Sequence, residues 1–195
     1  MIWPDTHSFS VGRITLDQFP ACWALRLRAL RDHPDAFGQP AEEAEKLSLA
    51  EAMEQFRTRW DSGDNRAFAA FANDGSPLGM IGIVREPRPK NRHRVSIWGV
   101  YVIPEARGRR ISSALLDRAL THARLVPGVL QVHLTAASHN LAAIRSYERA
   151  GFVRAGRLPR FDILPDGSTI DADLMVLMLD GHPITGCGET ALPLG

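Results

Sequence analysis

VSIWGVYVIPEARGRRISSALL, residues 95–116, is the stretch of this chain that decides its fold. Its first part, 95–103, is apolar at almost every position, which is typical of a strand that is covered on both faces, and Pro104 ends that strand. An arginine-rich turn follows and leads into a helix that we predict over about 108–125. The sequence therefore predicts a buried strand at the centre of a sheet, directly followed by a helix.

The start of this helix is a predicted anion site. A helix N-terminus exposes unpaired backbone N–H groups and the positive end of the helix dipole, and three arginines and two hydroxyls lie there. A glycine would let a ligand approach the backbone closely. The residues are Arg107, Gly108, Arg109, Arg110, Ser112 and Ser113. Taken alone, this segment is more typical of a polar turn before an amphipathic helix than of an anion site, since it lacks the endings of a P-loop or a dinucleotide fold.

Apolar residues share one broad side of the same helix, and polar residues share the other. The apolar side consists of Ile111, Leu115, Leu116, Ala119, Leu120 and Ala123, and the polar side of Arg110, Asp117, Thr121 and Arg124. The helix is therefore expected to pack on the sheet while Arg110 stays free to reach solvent or a phosphate.

The flanking sequence predicts an alternation of strands and helices. In order, these are a strand at 9–14, a helix at 17–32 capped by Asp17, a loop at 33–40, a helix capped by Ser48 that ends near Gly63, hairpin strands at 66–72 and 78–84, a strand at 130–137, a helix at 140–150, and strands at 152–156 and 173–179. We expect one domain over 1–180 and an irregular tail over 181–195.

Composition excludes several classes of function. The chain has 195 residues, with 23 Lys and Arg against 22 Asp and Glu, so no overall field attracts nucleic acid or an anionic membrane. Cys22 and Cys187 have no metal-ligand spacing and are typical of free thiols in a reducing compartment. The first residues are not typical of a secretory signal, and no apolar run approaches the roughly 20 residues of a membrane helix. We expect a cytoplasmic protein without a metal site.

A second motif, NLAAIRSYERAGF at 140–152, makes the pattern specific. It places Tyr147 seven residues after Asn140, and Gly151 and Phe152 follow. Together with the buried strand and the arginine turn, this order resembles the GNAT acyltransferase superfamily over 95–152. The resemblance implies an α+β fold: a mixed, mostly antiparallel, twisted sheet of six to seven strands with helices on both faces.

The family pattern at the helix start is Arg or Gln, two residues, Gly, one residue, then Gly or Ala. This sequence keeps Arg107 at the first position. Arg110 and Ser112 stand where the two glycines are expected. The departure bears on how closely a pyrophosphate approaches the turn.

The resemblance implies an N-acetyltransferase that moves an acetyl group from acetyl-CoA, its co-substrate, to a primary amine of a small molecule or peptide. It assigns the backbone of Val100 and Val102 and the side chain of Asn140 to the pantetheine arm. It places Tyr147 near the thioester sulfur, as proton donor to the leaving thiolate. It assigns binding of the pyrophosphate to Arg107, Gly108, Arg109, Arg110, Ile111, Ser112 and Ser113. Helix geometry supports one part, because seven residues make about two turns, or ~10 Å, and put Asn140 and Tyr147 on one face.

The resemblance does not assign the general base, because 95–103 holds no acidic residue. Candidates are Glu86, Asp162, Asp171 and Asp173, while His93 and His133 are more typical of structural histidines. Trp98 is expected to lie in the core or to wall the acceptor pocket, on the face opposite Tyr101. Two other functions stay open: a CoA-binding sensor that has lost catalysis, and a nucleotide or polyphosphate binder that uses the arginine turn. The expected partner is the amine acceptor, with a homodimer also allowed.

Overall fold

The computed structural model describes residues 8–184, which form seven strands and five α-helices. In chain order the elements are β1 (Ser10–Arg13), α1 (Phe19–Asp32), α2 (Ala41–Glu45), α3 (Leu49–Gln55), β2 (Arg66–Phe71), β3 (Pro77–Arg85), β4 (Arg94–Val102), α4 (Ile111–Leu125), β5 (Gln131–Ala137), α5 (Leu141–Arg149), β6 (Val153–Ile163) and β7 (Thr169–Met178). A π-helical turn, Phe56–Trp60, extends α3. Cys187 and most of the predicted tail lie outside the described residues.

The strands form one sheet in the order β1-β2-β3-β4-β5-β7-β6. All neighbours are antiparallel except β4 and β5, which are parallel because α4 carries the chain back across the sheet between them. The predicted α+β fold, with a mixed and mostly antiparallel sheet, is confirmed. The apolar strand β4 lies in the middle of the seven, as its composition predicts.

Strands β4 and β5 separate soon after they meet. Only Arg94–Ser96 pairs with Gln131–His133. Beyond those three pairs β4 continues to Val102 and β5 to Ala137 without pairing to each other. The sheet therefore opens at its centre, and one edge of β4 faces the gap.

A β-bulge lies in β4 at the same level. Met80 of β3 is opposite Tyr101, and Gly82 is opposite Trp98, so one residue of β3 faces two of β4. Gly99, in the bulge, has φ 64°, a backbone conformation that glycine adopts at little cost. Met80 and Gly82 share a face, so Trp98 and Tyr101 share it as well. The expectation that these two lie on opposite faces is wrong, because the extra residue reverses the alternation.

Helices cover both faces of the sheet, as predicted. All six residues of the apolar side of α4 are buried against β2 to β5, and Ile144 of α5 joins the same core. On the other face α1 and α3 pack against β2 around Phe19, Phe56 and Phe71. Within residues 8–184 no helix combines the length and the apolar composition needed to cross a membrane.

The helix termini differ from the prediction in two places. Helix α1 has Gln18 at its N-cap position, with no side-chain cap, so the assignment of Asp17 as its cap is wrong. Helix α4 begins at Ile111 rather than near Gly108, because Gly108 has φ 79° and Arg110 has φ 61°, which no α-helix accommodates. Ser48 caps α3 as predicted, in a reciprocal capping box with Glu51.

Asp173, one of the candidate bases, has a structural role. It is fully buried in β7 and accepts hydrogen bonds from Arg157 (2.9 Å) and Ser138 (3.2 Å), with Arg154 at 3.3 Å. The hydrogen bond from Arg157 is the main cause that lowers the pKa of this carboxyl. Asp173 therefore ties β6 to the end of β5 and offers no free carboxylate for catalysis.

Replacing Asp173 with alanine should lower the free energy of unfolding by about 2 kcal/mol, because the exposed arginines can return to water but the buried hydrogen bonds are lost. A carboxyl with a lowered folded pKa stabilises above its unfolded pKa of about 4, and that contribution is lost as the pH falls through the folded pKa. Urea unfolding between pH 2 and 7 measures both effects. Asp117→Asn, on the exposed side of α4, is the control, and equal acid sensitivity of the two variants would contradict the assignment.

Candidate active site

The gap between the parted ends of β4 and β5 is a cleft of about 360 Å³. Helices α4 and α5 and the segment after α1 complete its walls. Six of the eleven residues that the sequence assigns to acetyl-CoA line it: Val100, Val102, Arg107, Ser112, Asn140 and Tyr147. The other five, Gly108, Arg109, Arg110, Ile111 and Ser113, follow one another around the start of α4 but do not line the cleft.

Helix α5 presents Asn140 and Tyr147 to the cleft from positions two turns apart. The Oδ1 of Asn140 accepts a hydrogen bond from the backbone N–H of Ala143 at 3.1 Å and so caps the helix. Tyr147 is 9% exposed and packs edge-on against Phe152. Burial raises the pKa of Tyr147 to about 12. Its phenol is therefore protonated at neutral and mildly alkaline pH, at the wall of the cleft.

The start of α4 provides backbone donors. The first helical hydrogen bond runs from Ala114 N–H to the carbonyl of Arg110, which leaves the N–H groups of the preceding helical residues free. Ile111 is 1% exposed and its side chain lies in the core, so only its backbone can face a ligand. Nothing lies within 4 Å of a Cβ built on Gly108, so the turn is open. This is the geometry expected of an anion site.

Arg110 occupies a left-handed position where glycine is the favoured residue. Its φ of 61° explains why the family pattern has a glycine there. Arg110→Gly should relieve about 1 kcal/mol of backbone strain, partly offset by the entropy of the unfolded chain. We expect the free energy of unfolding to rise by roughly 0.5 kcal/mol. Arg124→Gly, on the exposed side of the same helix, should lower it instead, and a loss of stability in both variants would refute the strain argument.

Arg107 links the start of α4 to the segment after α1. Its Nη2 donates to Nε2 of His33 at 2.9 Å, and its Nε donates to the carbonyl oxygen of Val102 at 3.3 Å. A guanidinium has no acceptor, so Nε2 of His33 must carry the lone pair. His33 lines the cleft, but the sequence predicts only a loop at 33–40 and does not identify His33 as a site residue.

Tyr101, the second tyrosine of the cleft, is already engaged. Its hydroxyl donates to Oδ2 of Asp32 at 2.7 Å. Burial, and then this hydrogen bond, raise the pKa of Tyr101 to about 12, and the same bond lowers the pKa of Asp32. Arg28 joins Asp32 at 3.3 Å and Glu105 at 2.7 Å. The end of α1 is thereby fixed against β4 at the side of the cleft.

The proposed bases lie elsewhere. Glu86, Asp162, Asp171, Asp173, His93 and His133 line neither the cleft nor the neighbouring cavity described below. His133 faces Glu86 at 3.4 Å, and its pKa is lowered mainly by burial. Among the described residues that line the two cavities, His33 is the one Asp, Glu or His. No group of three possible metal ligands occurs in 8–184.

A second cavity of about 290 Å³, the aromatic cavity, lies between α1, α3 and the sheet. Its aromatic walls are Phe19, Trp23, Phe56, Trp60 and Trp98, and its polar residues are Arg26, Gln39, Gln55 and Arg59. Trp98 and Gly99 line both this cavity and the cleft, so the two meet at the bulge of β4.

The profile of the Acetyltransferase (GNAT) family matches residues 27–152, about two thirds of the chain. The chain belongs to this family. Membership confirms the predicted family and the acyltransferase class, with acetyl-CoA as the co-substrate typical of GNAT proteins. The match begins within α1 and ends at Phe152, so it contains both the cleft and the bulge where the aromatic cavity opens.

Two curated relatives of this GNAT protein are acetyltransferases. Mycothiol acetyltransferase of Sanguibacter keddieii is 32% identical over 139 residues, which are 69% of this chain and 40% of the relative. Spermidine N(1)-acetyltransferase of Vibrio cholerae is 27% identical over 88 residues, 45% of this chain and 51% of the relative. This chain thus spans about half, or less, of the length of the curated relatives that it matches.

Solved GNAT structures share the fold. A GNAT acetyltransferase from Streptococcus pneumoniae superposes with a TM-score of 0.79 at 22% identity, covering 88% of this chain and all of the other. The Salmonella typhimurium acetyltransferase yncA, solved with its cofactor acetyl-CoA, superposes with a TM-score of 0.77 at 20% identity, covering 93% of this chain and 99% of the other.

Proposed function

We propose that this protein transfers the acetyl group of acetyl-CoA to a primary amine of a small molecule or peptide, by direct attack in a ternary complex. The observation that carries the proposal is the meeting of two cavities at Trp98 and Gly99. The cleft suits a long, amide-bearing thioester, and the aromatic cavity, with about 290 Å³, has room for a small acceptor. Their junction is where the reacting atoms would come together.

The residues around the cleft fit acetyl-CoA. The unpaired edge of β4, with Val100 and Val102, offers backbone groups to the amides of the pantetheine arm. The free N–H groups at the start of α4, with Arg107 and the open turn at Gly108, suit the pyrophosphate. Because Asn140 uses Oδ1 for its cap, its Nδ2 is the donor left for the arm.

Tyr147 is the proposed proton donor. As the amine nitrogen bonds to the thioester carbonyl carbon, the C–S bond breaks, and the phenol of Tyr147 gives its proton to the departing sulfur. The amine loses its own proton to solvent, and solvent returns a proton to the phenolate of Tyr147. Because burial raises its pKa to about 12, the phenol is protonated at neutral pH and has a proton to donate.

Direct transfer is supported by the state of the cysteine that lines the aromatic cavity. Cys22 is buried, and burial raises its pKa to about 12, so a thiol rather than a nucleophilic thiolate faces the acceptor. The described residues contain no other cysteine. Among residues 8–184, therefore, no cysteine thiolate supports an acetyl-enzyme intermediate.

The test combines binding and activity. We expect acetyl-CoA to raise the melting temperature of the full chain and free CoA to form when amino acids, polyamines, aminoglycosides or peptides are supplied as amines. Binding of acetyl-CoA without transfer to any amine would favour the CoA-binding sensor. A larger increase in melting temperature with ATP than with acetyl-CoA would favour the polyphosphate binder. Arg107→Ala should weaken acetyl-CoA binding.

A further inference from the structure

Arg26 of α1 places a charge inside the aromatic cavity without an acidic partner. Its Nη2 donates to Oε1 of Gln39 at 2.8 Å, but its Nη1 is buried and has no hydrogen-bond partner among the described residues. The guanidinium lies over the indole of Trp98, 5.4 Å from the ring centroid. Burial lowers the pKa of Arg26, as expected of a charge that no neighbour compensates, yet arginine stays charged at neutral pH.

Trp98 provides a second unused donor in the same cavity. Its Nε1 is buried and has no acceptor within 8–184. Buried donors without partners are rare in folded proteins, because each loses its hydrogen bonds to water without replacement. Both residues line one cavity, which indicates a ligand that brings hydrogen-bond acceptors.

The charge of the cavity determines which hydrogen-bond acceptor the ligand is expected to bring. No Asp or Glu occurs among the described residues that line it, whereas Arg26 and Arg59 do. A polycation would meet a positive charge there with nothing to balance it. A carboxylate matches the planar, forked donors of a guanidinium.

The position of Arg26 fixes where that carboxylate would lie. A Cβ built on Gly99 would be 3.6 Å from Nη1 of Arg26, so the free donor is beside the junction with the cleft. An amine on the carbon next to the carboxylate would then stand at the junction itself. The rest of the ligand would extend between Trp23, Phe56 and Trp60, which suit an apolar or uncharged body.

We propose that the acceptor is an α-amino acid with an uncharged side chain, whose carboxylate is bound by Arg26 and Trp98. This inference rests on the proposed acetyl transfer and names its substrate class. It separates this protein from a polyamine acetyltransferase, because the carboxylate carries most of the recognition.

The test compares amino acids with their own primary amides, such as leucine with leucinamide and phenylalanine with phenylalaninamide. With acetyl-CoA present, we expect kcat/KM for the acids to exceed that for the amides by about 100-fold, because a site built to hydrogen-bond one group rejects the analogue that lacks it. In Arg26→Gln this ratio should fall to within about tenfold of unity, mainly through a higher KM for the acids. Arg31→Gln, on the exposed side of α1, should keep the wild-type ratio.

Separate outcomes bear on the function and on the inference. Equal or faster acetylation of the amides or of polyamines by the wild-type protein would overturn the amino-acid acceptor while leaving acetyl transfer intact. If no amine is acetylated, the proposed function fails. The inference is then tested by comparing the increase in melting temperature that each acid and its amide cause in the presence of CoA. A preference for acids that Arg26→Gln abolishes would support it, and no preference would overturn it. The wild-type comparison stands even where Arg26→Gln does not fold.

Discussion

Replacing Tyr147 with phenylalanine should lower kcat by about 100-fold and leave the affinity for acetyl-CoA nearly unchanged. General acid catalysis by a placed side chain contributes factors of this size. The ring remains to fill its site beside Phe152, so only the proton donor is removed. Pre-steady-state measurement of CoA release, with acetyl-CoA binding measured by titration, separates the two parameters.

The chain supplies its own control, since it has two tyrosines. Tyr101→Phe removes a phenol that lines the same cleft but donates to Asp32, so it should cost about 1 kcal/mol of stability with a smaller effect on kcat. Because the pKa of Tyr147 is raised to about 12, wild-type kcat should not decline up to about pH 11. An unchanged kcat in Tyr147→Phe, with chemistry limiting the rate, would exclude Tyr147 as the donor.

Replacing Gly82 with alanine should destabilise the protein by about 1–3 kcal/mol and raise the KM of the acceptor more than that of acetyl-CoA. The new Cβ would overlap the six-membered ring of the Trp98 indole, which lies over Gly82 from the neighbouring strand. The rigid ring, which packs against Trp60, must shift as a whole, either against that neighbour or into the cavity that it lines. Since Trp98 lines the aromatic cavity, its displacement reshapes the proposed acceptor site.

Gly12→Ala is the matched control for this substitution. Gly12 is also a strand glycine, in β1, but nothing lies within 4 Å of its added Cβ. That change should be neutral or raise stability slightly, because alanine has less freedom to lose on folding. Urea unfolding and acceptor kinetics on both variants provide the comparison, and equal stability of the two would show that the indole yields without cost.

The parts of the fold that follow from local pattern could be predicted from the sequence. The apolar side of α4 is buried residue for residue, because helical periodicity alone determines which side chains face a sheet. The same holds for the central place of β4, and for the shared face of Asn140 and Tyr147, which follows from two helical turns.

The features that depend on contacts between distant segments could not be predicted. His33 meets Arg107 from 74 residues away, and no periodicity reports such a pair. Arg26 belongs to helix α1, whose sequence pattern shows only which side is apolar. The pattern does not show that one of its arginines lines a cavity. Gly99 was the available signal for the bulge, since a glycine inside an apolar strand often marks one.

The three residue pairs that join β4 to β5 make a seam in the middle of the sheet. On either side of it lies a half-sheet whose own strands pair along most of their length. The two half-sheets can therefore move relative to each other about a hinge at Arg94–Ser96. Amide hydrogens that pair Arg94–Ser96 with β5 should then exchange through local opening rather than through global unfolding. A ligand bound along the open edge of β4 would hold the two half-sheets in one relative position, and its release would let them move again.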